Sequence, residues 1–258
     1  MTSRVGQLLQ HRELLLLLVQ RNLKIRYKDS VLGFFWTLLG PLLLILIYAV
    51  FLGIMRFQVS MSLLFTGIFA WQYLATCLGD SAAVVIGSAN LIKKTAFPRI
   101  VLPLAMVLAN LINFLLSLLV VVVYLLIHGE PMGFLGWAFV ALIFHVALCA
   151  GVSLLVSATN VFYRDVQQVL SVATLAWFFV TPVIYPPELV TGRFGGALQY
   201  LYFANPMTGI LAGYRAALMN APCPGLGPLA LSFAVSAGVL LLGILVFQRC
   251  QIRFADEL

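Results

Sequence analysis

Charged side chains are scarce in this 258-residue chain. Asp, Glu, Lys and Arg together make up 9% of the sequence, whereas apolar residues make up 63%. Soluble domains average about 25% charged and about 45–50% apolar residues, and a water-soluble fold could not bury this much apolar surface. The composition therefore indicates a protein embedded in lipid. No stretch is long enough for a separate soluble domain, so we expect a single membrane domain over residues 1–258.

The sequence also lacks the motifs that build catalytic and metal sites. Its four cysteines are scattered, and neither a CxxC pair nor a His/Cys spacing suited to zinc occurs. Paired carboxylates at membrane depth and a nucleophile elbow are absent as well. A GxxxxGK[ST] phosphate loop for nucleotide is also absent. From these absences together we expect no catalytic residue, metal site or cofactor in this chain. Any ATP and Mg²⁺ that drive this protein would bind another chain.

The net charge of +7 does not indicate a nucleic-acid partner. No basic patch with interleaved aromatics lies on a soluble module, and basic residues of membrane proteins collect in cytoplasmic loops. The apolar run 14–19 does not indicate a signal peptide either. It is short, and basic residues follow it instead of a small-residue cleavage site.

Six apolar segments predict membrane-spanning helices. A crossing helix needs about 20 mostly apolar residues, and a sheet with open edges would leave backbone groups unpaired in lipid. The sixth segment, 169–185, is shorter than the others but continuous. We predict an all-α integral membrane protein with spans at about 31–54, 63–86, 101–127, 134–158, 169–185 and 229–247.

The basic residues set the predicted topology. With six spans and both termini in the cytoplasm, only Arg56, Arg193 and Arg215 of the 15 Lys and Arg residues lie outside. Such a bias towards the cytoplasmic side is typical of membrane proteins. The inside set is Arg4, Arg12, Arg21, Lys24, Arg26, Lys28, Lys93, Lys94, Arg99, Arg164, Arg249 and Arg253.

Residues 197–219 could form a seventh span, but Asn205-Pro206 interrupts them. A seventh span would also move the C-terminal arginines outside and weaken the charge bias. We therefore predict that 187–228 is an external re-entrant segment, which is tolerated where protein or water surrounds it. Small residues at i and i+4 permit close helix packing there. The predicted segment forms a hinged external gate with Pro182, Pro186, Pro187, Asn205, Pro206, Gly209 and Gly213.

Residues 5–28 predict an amphipathic helix that lies in the headgroup plane ahead of the first span. Lys and Arg near anionic headgroups each contribute about 1 kcal/mol, so membrane anchoring alone would account for its basic end. The apolar residues near helical spacing are Val5, Leu8, Leu9, Leu16, Val19, Leu23 and Tyr27, although Leu14, Leu17 and Leu18 blur the polar face. The basic residues are Arg21, Lys24, Arg26 and Lys28.

Two ionisable side chains lie within the predicted spans, where such groups are costly and often functional. Asp80 is near the cytoplasmic end of its helix, and the simpler interpretation is a carboxylate that is hydrogen-bonded near the interface. His145 lies in mid-helix, and the simpler interpretation is a neutral imidazole bonded to a neighbouring helix. Neither is paired in sequence with a second titratable group, as proton relays usually are.

Several short sequence motifs follow one another along the chain. They are Arg21–Lys28 (RNLKIRYK), Ser30–Trp36 (SVLGFFW), Ala89–Lys94 (ANLIKK) with Phe97-Pro98-Arg99, Asn160–Val166 (NVFYRDV), Thr181–Tyr185 (TPVIY), Asn205–Met207 (NPM) and Arg253–Asp256 (RFAD). As an ordered set over essentially the full length, they resemble the permeases of bacterial polysaccharide ABC exporters.

The resemblance implies a partnership and a substrate. Such permeases have six spans in the bacterial cytoplasmic membrane and pair as homodimers, and each dimer joins two copies of a separate ABC ATPase subunit that binds ATP and Mg²⁺. They export a polysaccharide assembled on a polyprenyl lipid, such as O-antigen, capsule or teichoic acid. The path is expected between the two protomers, lined by the first and fifth spans.

The cytoplasmic loops are the expected contacts of the ATPase. A short helix capped by Asn90 would present basic and aromatic residues to it, although positive-inside charge alone also accounts for the lysines. Arg164-Asp165 is either a local ion pair that ends the fourth span or a further ATPase contact. The expected coupling residues are Asn90, Lys93, Lys94, Phe97, Pro98, Arg99, Arg164 and Asp165.

Aromatic residues of the first and fifth spans have two interpretations. They form an interfacial belt with lipid-facing rings, or they line a path on which sugar C–H faces slide. The candidate channel residues are Phe35, Trp36, Tyr48, Trp177, Phe178 and Tyr185. Substrate access is expected at Arg21, Lys24, Arg26 and Lys28, which could attract a lipid diphosphate or dock beside the ATPase.

Two other function classes compete with this interpretation. A secondary transporter or channel would work without an ATPase partner, but pairs of buried ionisable residues are lacking. A membrane enzyme of lipid-linked sugar metabolism would need a catalytic constellation, and the sequence offers none.

Overall fold

The computed structural model describes residues 12–28, 30–56, 59–95, 97–191 and 197–257, and its regular elements within these ranges are all helical. Short 3₁₀ turns precede α2 and α4 and follow α11. The helices are α1 Arg12–Tyr27, α2 Trp36–Ile54, α3 Met61–Val84, α4 Ala89–Lys94, α5 Val101–Ile127, α6 Gly136–Phe162, α7 Val166–Val180, α8 Glu188–Thr191, α9 Ala197–Phe203, α10 Pro206–Leu218, α11 Leu226–Cys250 and α12 Phe254–Glu257.

Five of these helices, α2, α3, α5, α6 and α11, are long and apolar enough to cross a membrane. The shorter apolar helix α7 has 15 residues and rises about 22 Å at 1.5 Å per residue, less than the hydrocarbon thickness of about 30 Å. The predicted class, an all-α integral membrane protein, is confirmed. The number of crossings stays a prediction, because α7 would need the residues after it to complete a sixth.

The start of α2 and the end of α7 have local causes. Gly33 has a φ of +46°, a conformation that favours glycine, so the predicted span from residue 31 begins as a helix only at Trp36. At its other end, α7 stops at Val180 instead of residue 185. Thr181 is extended, as expected for a residue before a proline, and its hydroxyl donates to the Trp177 carbonyl at 2.8 Å.

Helix α1 packs along α5. Leu18 and Val19 are its buried residues, whereas Leu16 and Leu17 are 58% and 62% exposed. The predicted apolar stripe is therefore wrong at Leu16, and Leu18 belongs to the packed face. Residues 5–11 of the predicted amphipathic helix lie outside the described residues.

Helices α6 and α11 cross in backbone contact. A Cβ at Gly151 would lie 2.7 Å from the Leu240 backbone, and a Cβ at Gly243 would lie 2.4 Å from the Gly151 carbonyl oxygen. Only glycine leaves room for this approach, which is how small residues pack membrane helices. Around this pair, α3 contacts α2, α5, α6 and α7, so α3 is the central helix of the bundle.

One end of the bundle gathers the segments that we predicted to be cytoplasmic. A single apolar cluster there joins α1, α4 and α12 to the adjoining ends of α5, α6 and α11, with Val19, Ile92, Val101, Phe247 and Phe254 among its members. We call this the basic end, because α1 and α4 carry lysines and arginines in their last turns.

Candidate functional site

A polar cavity of about 700 Å³ lies between α1, α2, α3 and α5. Polar residues recur on the facing sides of two apolar helices, at i, i+4 and i+8 on α3 and at i, i+3 and i+7 on α5. This spacing places each set on one helix face, a signal that the sequence carries but that did not enter the predicted site. The residues are Gln72, Thr76 and Asp80 on α3, and Asn110, Asn113 and Ser117 on α5.

An ion pair connects α1 to this cavity. The Arg26 guanidinium donates to the Asp80 carboxylate, and the Asn110 amide donates to the same carboxylate oxygen at 2.9 Å. Asp80 is therefore hydrogen-bonded, as its simpler interpretation required, but its partners are one basic residue of α1 and one amide of α5. Arg26, which we expected to serve substrate access, ATPase docking or membrane anchoring, also docks α1 on the bundle.

Tyr27 and two asparagines, Asn110 and Asn113, complete the polar lining of the cavity. The Tyr27 hydroxyl lies 2.6 Å from the Thr37 hydroxyl and donates to Asn113 Oδ1 at 3.0 Å. Asn110 and Asn113 are 2% and 6% exposed, and Asn110 Oδ1 and Asn113 Nδ2 have no hydrogen-bond partner among the described residues. Thr37 and Pro41 of α2 also line the cavity, and because Pro41 has no N–H, the Thr37 carbonyl lacks its helical donor.

A second, mostly apolar groove of about 650 Å³ adjoins the cavity between α1 and α5. Leu23, Ile25 and Ile112 line it together with Lys24 and Lys28. Tyr27 and Asn113 line both the groove and the polar cavity. Two of the predicted access residues thus lie beside an apolar surface, and a third, Arg21, is exposed on the same helix.

Three of the predicted channel residues meet in an aromatic cluster of α2, α3 and α7. Tyr48 stacks on Phe178 with ring centroids 5.7 Å apart. Trp71, which was not among the predicted channel residues, contacts Phe178 at 5.5 Å and Trp177 at 5.9 Å. A groove of about 270 Å³ runs beside Tyr48, Trp71 and Phe178 and shares Gln72 with the polar cavity.

The other predicted channel residues lie elsewhere. Trp36 lines the polar cavity, Phe35 is 71% exposed, and the Tyr185 hydroxyl donates to the Phe179 carbonyl at 3.2 Å. Within one chain, these aromatics do not form a continuous stripe.

Asn205 joins the end of α7 to the start of α10. Its Oδ1 accepts from the Met207 backbone N–H at 3.2 Å and from the Trp177 indole at 2.9 Å. Its Nδ2 donates to the Thr181 hydroxyl at 2.9 Å. With Pro206 in the first turn, Asn205 is an N-cap, and the predicted interruption of the re-entrant segment is the junction between α9 and α10.

Helix α10 is buried along its whole length, Pro206–Leu218. A Cβ at Gly209 would lie 2.4 Å from Ser232 of α11, and a Cβ at Gly213 would lie 3.0 Å from Ala141 of α6. The two predicted glycines therefore permit the close packing that their spacing indicated.

Arg215 holds the segment after α7 against α10. This arginine is 3% exposed and donates to the carbonyls of Pro182 and Val183 at 2.6 and 3.1 Å. Pro182 is buried, and Pro186 and Pro187 are partly buried. The charge pattern placed Arg215 outside but gave no sign of this role.

Helix α4 presents the predicted coupling loop at the basic end. Lys93 and Lys94 are exposed, as is Asn90, but Asn90 lies inside the helix and does not cap it, because the N-cap is Ser88. The following residues, Phe97-Pro98-Arg99, turn back towards the bundle. Phe97 packs on the apolar cluster, and Arg99 donates to the Gln251 carbonyl.

Arg164 and Asp165 form the exposed turn between α6 and α7. Asp165 is the N-cap residue of α7 by position, without a side-chain cap. Among the described residues the ion pair is Arg26–Asp80, so the local Arg164–Asp165 pair that we considered does not form.

His145 is fully buried in α6. Its Nδ1 lies 3.3 Å from the Tyr214 hydroxyl of α10, and its ring packs against Tyr73 and Phe114 with centroids 4.8 and 5.4 Å apart. The expected bond to a neighbouring helix is present.

Comparison with known proteins gives one consistent result. Residues 13–219 match the ABC-2 type transporter family. The chain is 32% identical over 254 residues, 95% of both chains, to the O-antigen export system permease protein RfbA of Klebsiella pneumoniae. It is 33% identical over 258 residues, 98% of both chains, to the protein of the same name in Myxococcus xanthus. The chain belongs to the ABC-2 type transporter family, as a multi-pass inner membrane transport subunit.

Proposed function

We propose that this chain is the permease subunit of an ABC transporter that exports a lipid-linked polysaccharide across the cytoplasmic membrane. O-antigen, capsular polysaccharide and teichoic acid are the candidate polymers. The observation that carries the proposal is the similarity to O-antigen export permeases, which covers 95–98% of both chains. Because the match covers nearly the whole length of both chains, it relates the complete helical bundle to these permeases and not only one motif.

The energy source is a separate ABC ATPase, since membership of the ABC-2 family implies such a partner. Two permeases and two ATPase subunits form the complex, and ATP and Mg²⁺ bind the ATPase. The exposed lysines of α4 support this arrangement, because Lys93 and Lys94 lie on the surface of the basic end. The exposed turn Arg164-Asp165 is a second contact.

Within the permease dimer, the polymer passes the aromatic cluster, where Tyr48 and Trp177 are partly exposed and the buried rings of Trp71 and Phe178 pack against them. Flat ring faces offer weak, repeated contacts to sugar C–H faces, so the polymer can slide without a fixed register. The segment from Pro182 to Gly213 closes the outer end. Its support is the network around Asn205 and Arg215, which ties α7 to α10.

The proposal is tested in the bacterial host by deleting the gene and measuring where the polymer accumulates. Loss of the permease should leave lipid-linked polymer in the cytoplasm and remove it from the cell surface, and the wild-type gene should restore it. The double variant Lys93→Ala, Lys94→Ala should insert normally but restore little surface polymer. The matched control is Arg249→Ala on α11, which also removes an exposed basic side chain and should restore normal surface polymer. Normal surface polymer after deletion would contradict the proposal.

A further inference from the structure

We propose that the polar cavity between α1, α2, α3 and α5 binds an uncharged sugar unit of the lipid-linked substrate. This inference rests on the proposed function and adds a binding site to it. Its volume of about 700 Å³ lies within the range of small-molecule sites, about 300–1,000 Å³. Three features of the site carry the assignment.

The first feature is charge. Among the described residues that line the cavity, Arg26 and Asp80 are the charged ones, and they neutralise each other in an ion pair. A phosphate or carboxylate ligand needs donors from cations that are not already neutralised. The lining therefore suits a neutral polar ligand better than an anion.

The second feature is a pair of buried amides with spare hydrogen-bonding capacity. Asn110 and Asn113 are each more than nine-tenths buried, yet Asn110 Oδ1 and Asn113 Nδ2 have no partner among the described residues. Leaving such atoms unsatisfied is costly, so a ligand that completes them is stabilised. One atom accepts and the other donates, and a sugar hydroxyl can do both.

The third feature is position. The polar cavity shares Tyr27 and Asn113 with the apolar groove that carries Lys24 and Lys28. A polyprenyl-linked saccharide has an isoprenoid chain, then phosphates, then sugars. The apolar groove with its two lysines suits the chain and the phosphates, and the neutral polar cavity that adjoins it suits the sugar. Trp36, 51% exposed at the cavity, offers a ring face to the sugar.

Binding to the purified full-length chain in lipid nanodiscs tests this assignment. The probes are a short polyprenyl diphosphate that carries one N-acetylhexosamine, the same diphosphate without sugar, and free N-acetylhexosamine. Wild-type protein should bind the sugar-bearing lipid about tenfold more tightly than the bare lipid, the equivalent of about one well-formed hydrogen bond to a buried group. Free sugar should bind far more weakly than the sugar-bearing lipid.

Two kinds of variant separate the parts of the site. Asn110 lines the cavity but not the groove, so Asn110→Leu should bring the sugar-dependent ratio close to one while affinity for the bare lipid is kept. Asn113 lines both, so Asn113→Leu should lower the ratio whatever its effect on the bare lipid. The double change Lys24→Ala, Lys28→Ala should weaken both lipids alike. Asn160→Leu is the matched control: this buried amide of α6 donates to the Ala82 carbonyl at 2.7 Å, away from the cavity, so the ratio should stay. If the asparagine variants fold poorly, Gln72→Ala tests the same cavity lining, because Gln72 is less buried and its loss should also lower the sugar-dependent ratio.

Equal affinity of wild-type protein for the two lipids would overturn the assignment. An unchanged ratio in the folded cavity variants would do the same, and free sugar as tight as the sugar-bearing lipid would overturn the lipid-linked source. The proposed function fails on a different result, the absence of ATP-driven export. If the wild-type chain exports polymer but binds the two lipids with equal affinity, the sugar site in the cavity is wrong and the proposed function still holds.

Discussion

Arg26 and Asp80 carry opposite charges between α1 and α3, at the edge of the polar cavity. Their side chains are 29% and 34% exposed, so solvent screens the pair, and we expect a coupling of about 0.5–1 kcal/mol. Removing one partner costs more than removing both, because the remaining charge then lies unpaired at a half-buried site.

A double-mutant cycle measures this coupling. Asp80→Asn should lower the unfolding temperature of the purified chain, and Arg26→Gln in the same chain should recover part of the loss. The measurement is thermal unfolding in detergent for the wild type, both single variants and the double variant. Strictly additive losses would show that the two side chains do not interact.

Phe178 gives the sharpest residue-level test of the aromatic path. Phe178→Leu keeps apolar bulk but removes the ring that contacts Tyr48 and Trp71. Phe178 is 7% exposed, so its ring acts by positioning Tyr48 and Trp71 beside the path. Loss of a contact of about 0.5–1.5 kcal/mol should then lower export at matched expression about two- to tenfold. Phe139 of α6 is 66% exposed and lies outside the cluster, so Phe139→Leu should leave export unchanged. Equal export by the two variants would favour the lipid-facing belt.

At the scale of the helices, the crossing of α6 and α11 depends on two glycines. Gly243→Ala would bring a methyl group to 2.4 Å from the Gly151 carbonyl oxygen, and overpacking of this kind costs about 1–3 kcal/mol. Gly238→Ala on the same helix meets nothing within 4 Å and is expected to be neutral or slightly stabilising. Thermal unfolding should rank Gly238→Ala above Gly243→Ala, and the reverse order would contradict the close crossing.

The sequence predicted some elements better than others, for physical reasons. Helix α5 has the bounds of its predicted span, 101–127, because a proline-containing loop and a glycine flank a long apolar run. The end of α7 was missed because local geometry at Thr181-Pro182 outweighs apolar character. The full burial of α10 was also missed, since its packing against α3, α6 and α11 determines which of its faces are covered.

The polar cavity, likewise, could be predicted from the sequence only in part. Its residues stand at helical spacing within apolar runs and were readable in principle. That α3 and α5 turn these faces towards each other is a property of tertiary packing. The partnership of Arg26 with Asp80, 54 residues apart, has no local signature at all.

At the scale of the whole molecule, the two ends of the bundle should face opposite sides of the membrane. Single-cysteine chains carrying Lys93→Cys or the native Cys223 test this with a membrane-impermeant maleimide. Cys223 is exposed and should react in intact spheroplasts, whereas the cysteine at position 93 should react only after lysis. Labelling of both in intact cells would contradict the proposed orientation.

The central claim is that ATP hydrolysis on a partner chain drives a lipid-linked polymer through this bundle. The most direct measurement is uptake of radiolabelled lipid-linked polysaccharide into inside-out vesicles that contain the permease and its ABC ATPase. We predict that polymer reaches the vesicle lumen only with both subunits and hydrolysable ATP. Uptake that continues without the ATPase, or with a non-hydrolysable nucleotide, would contradict the account.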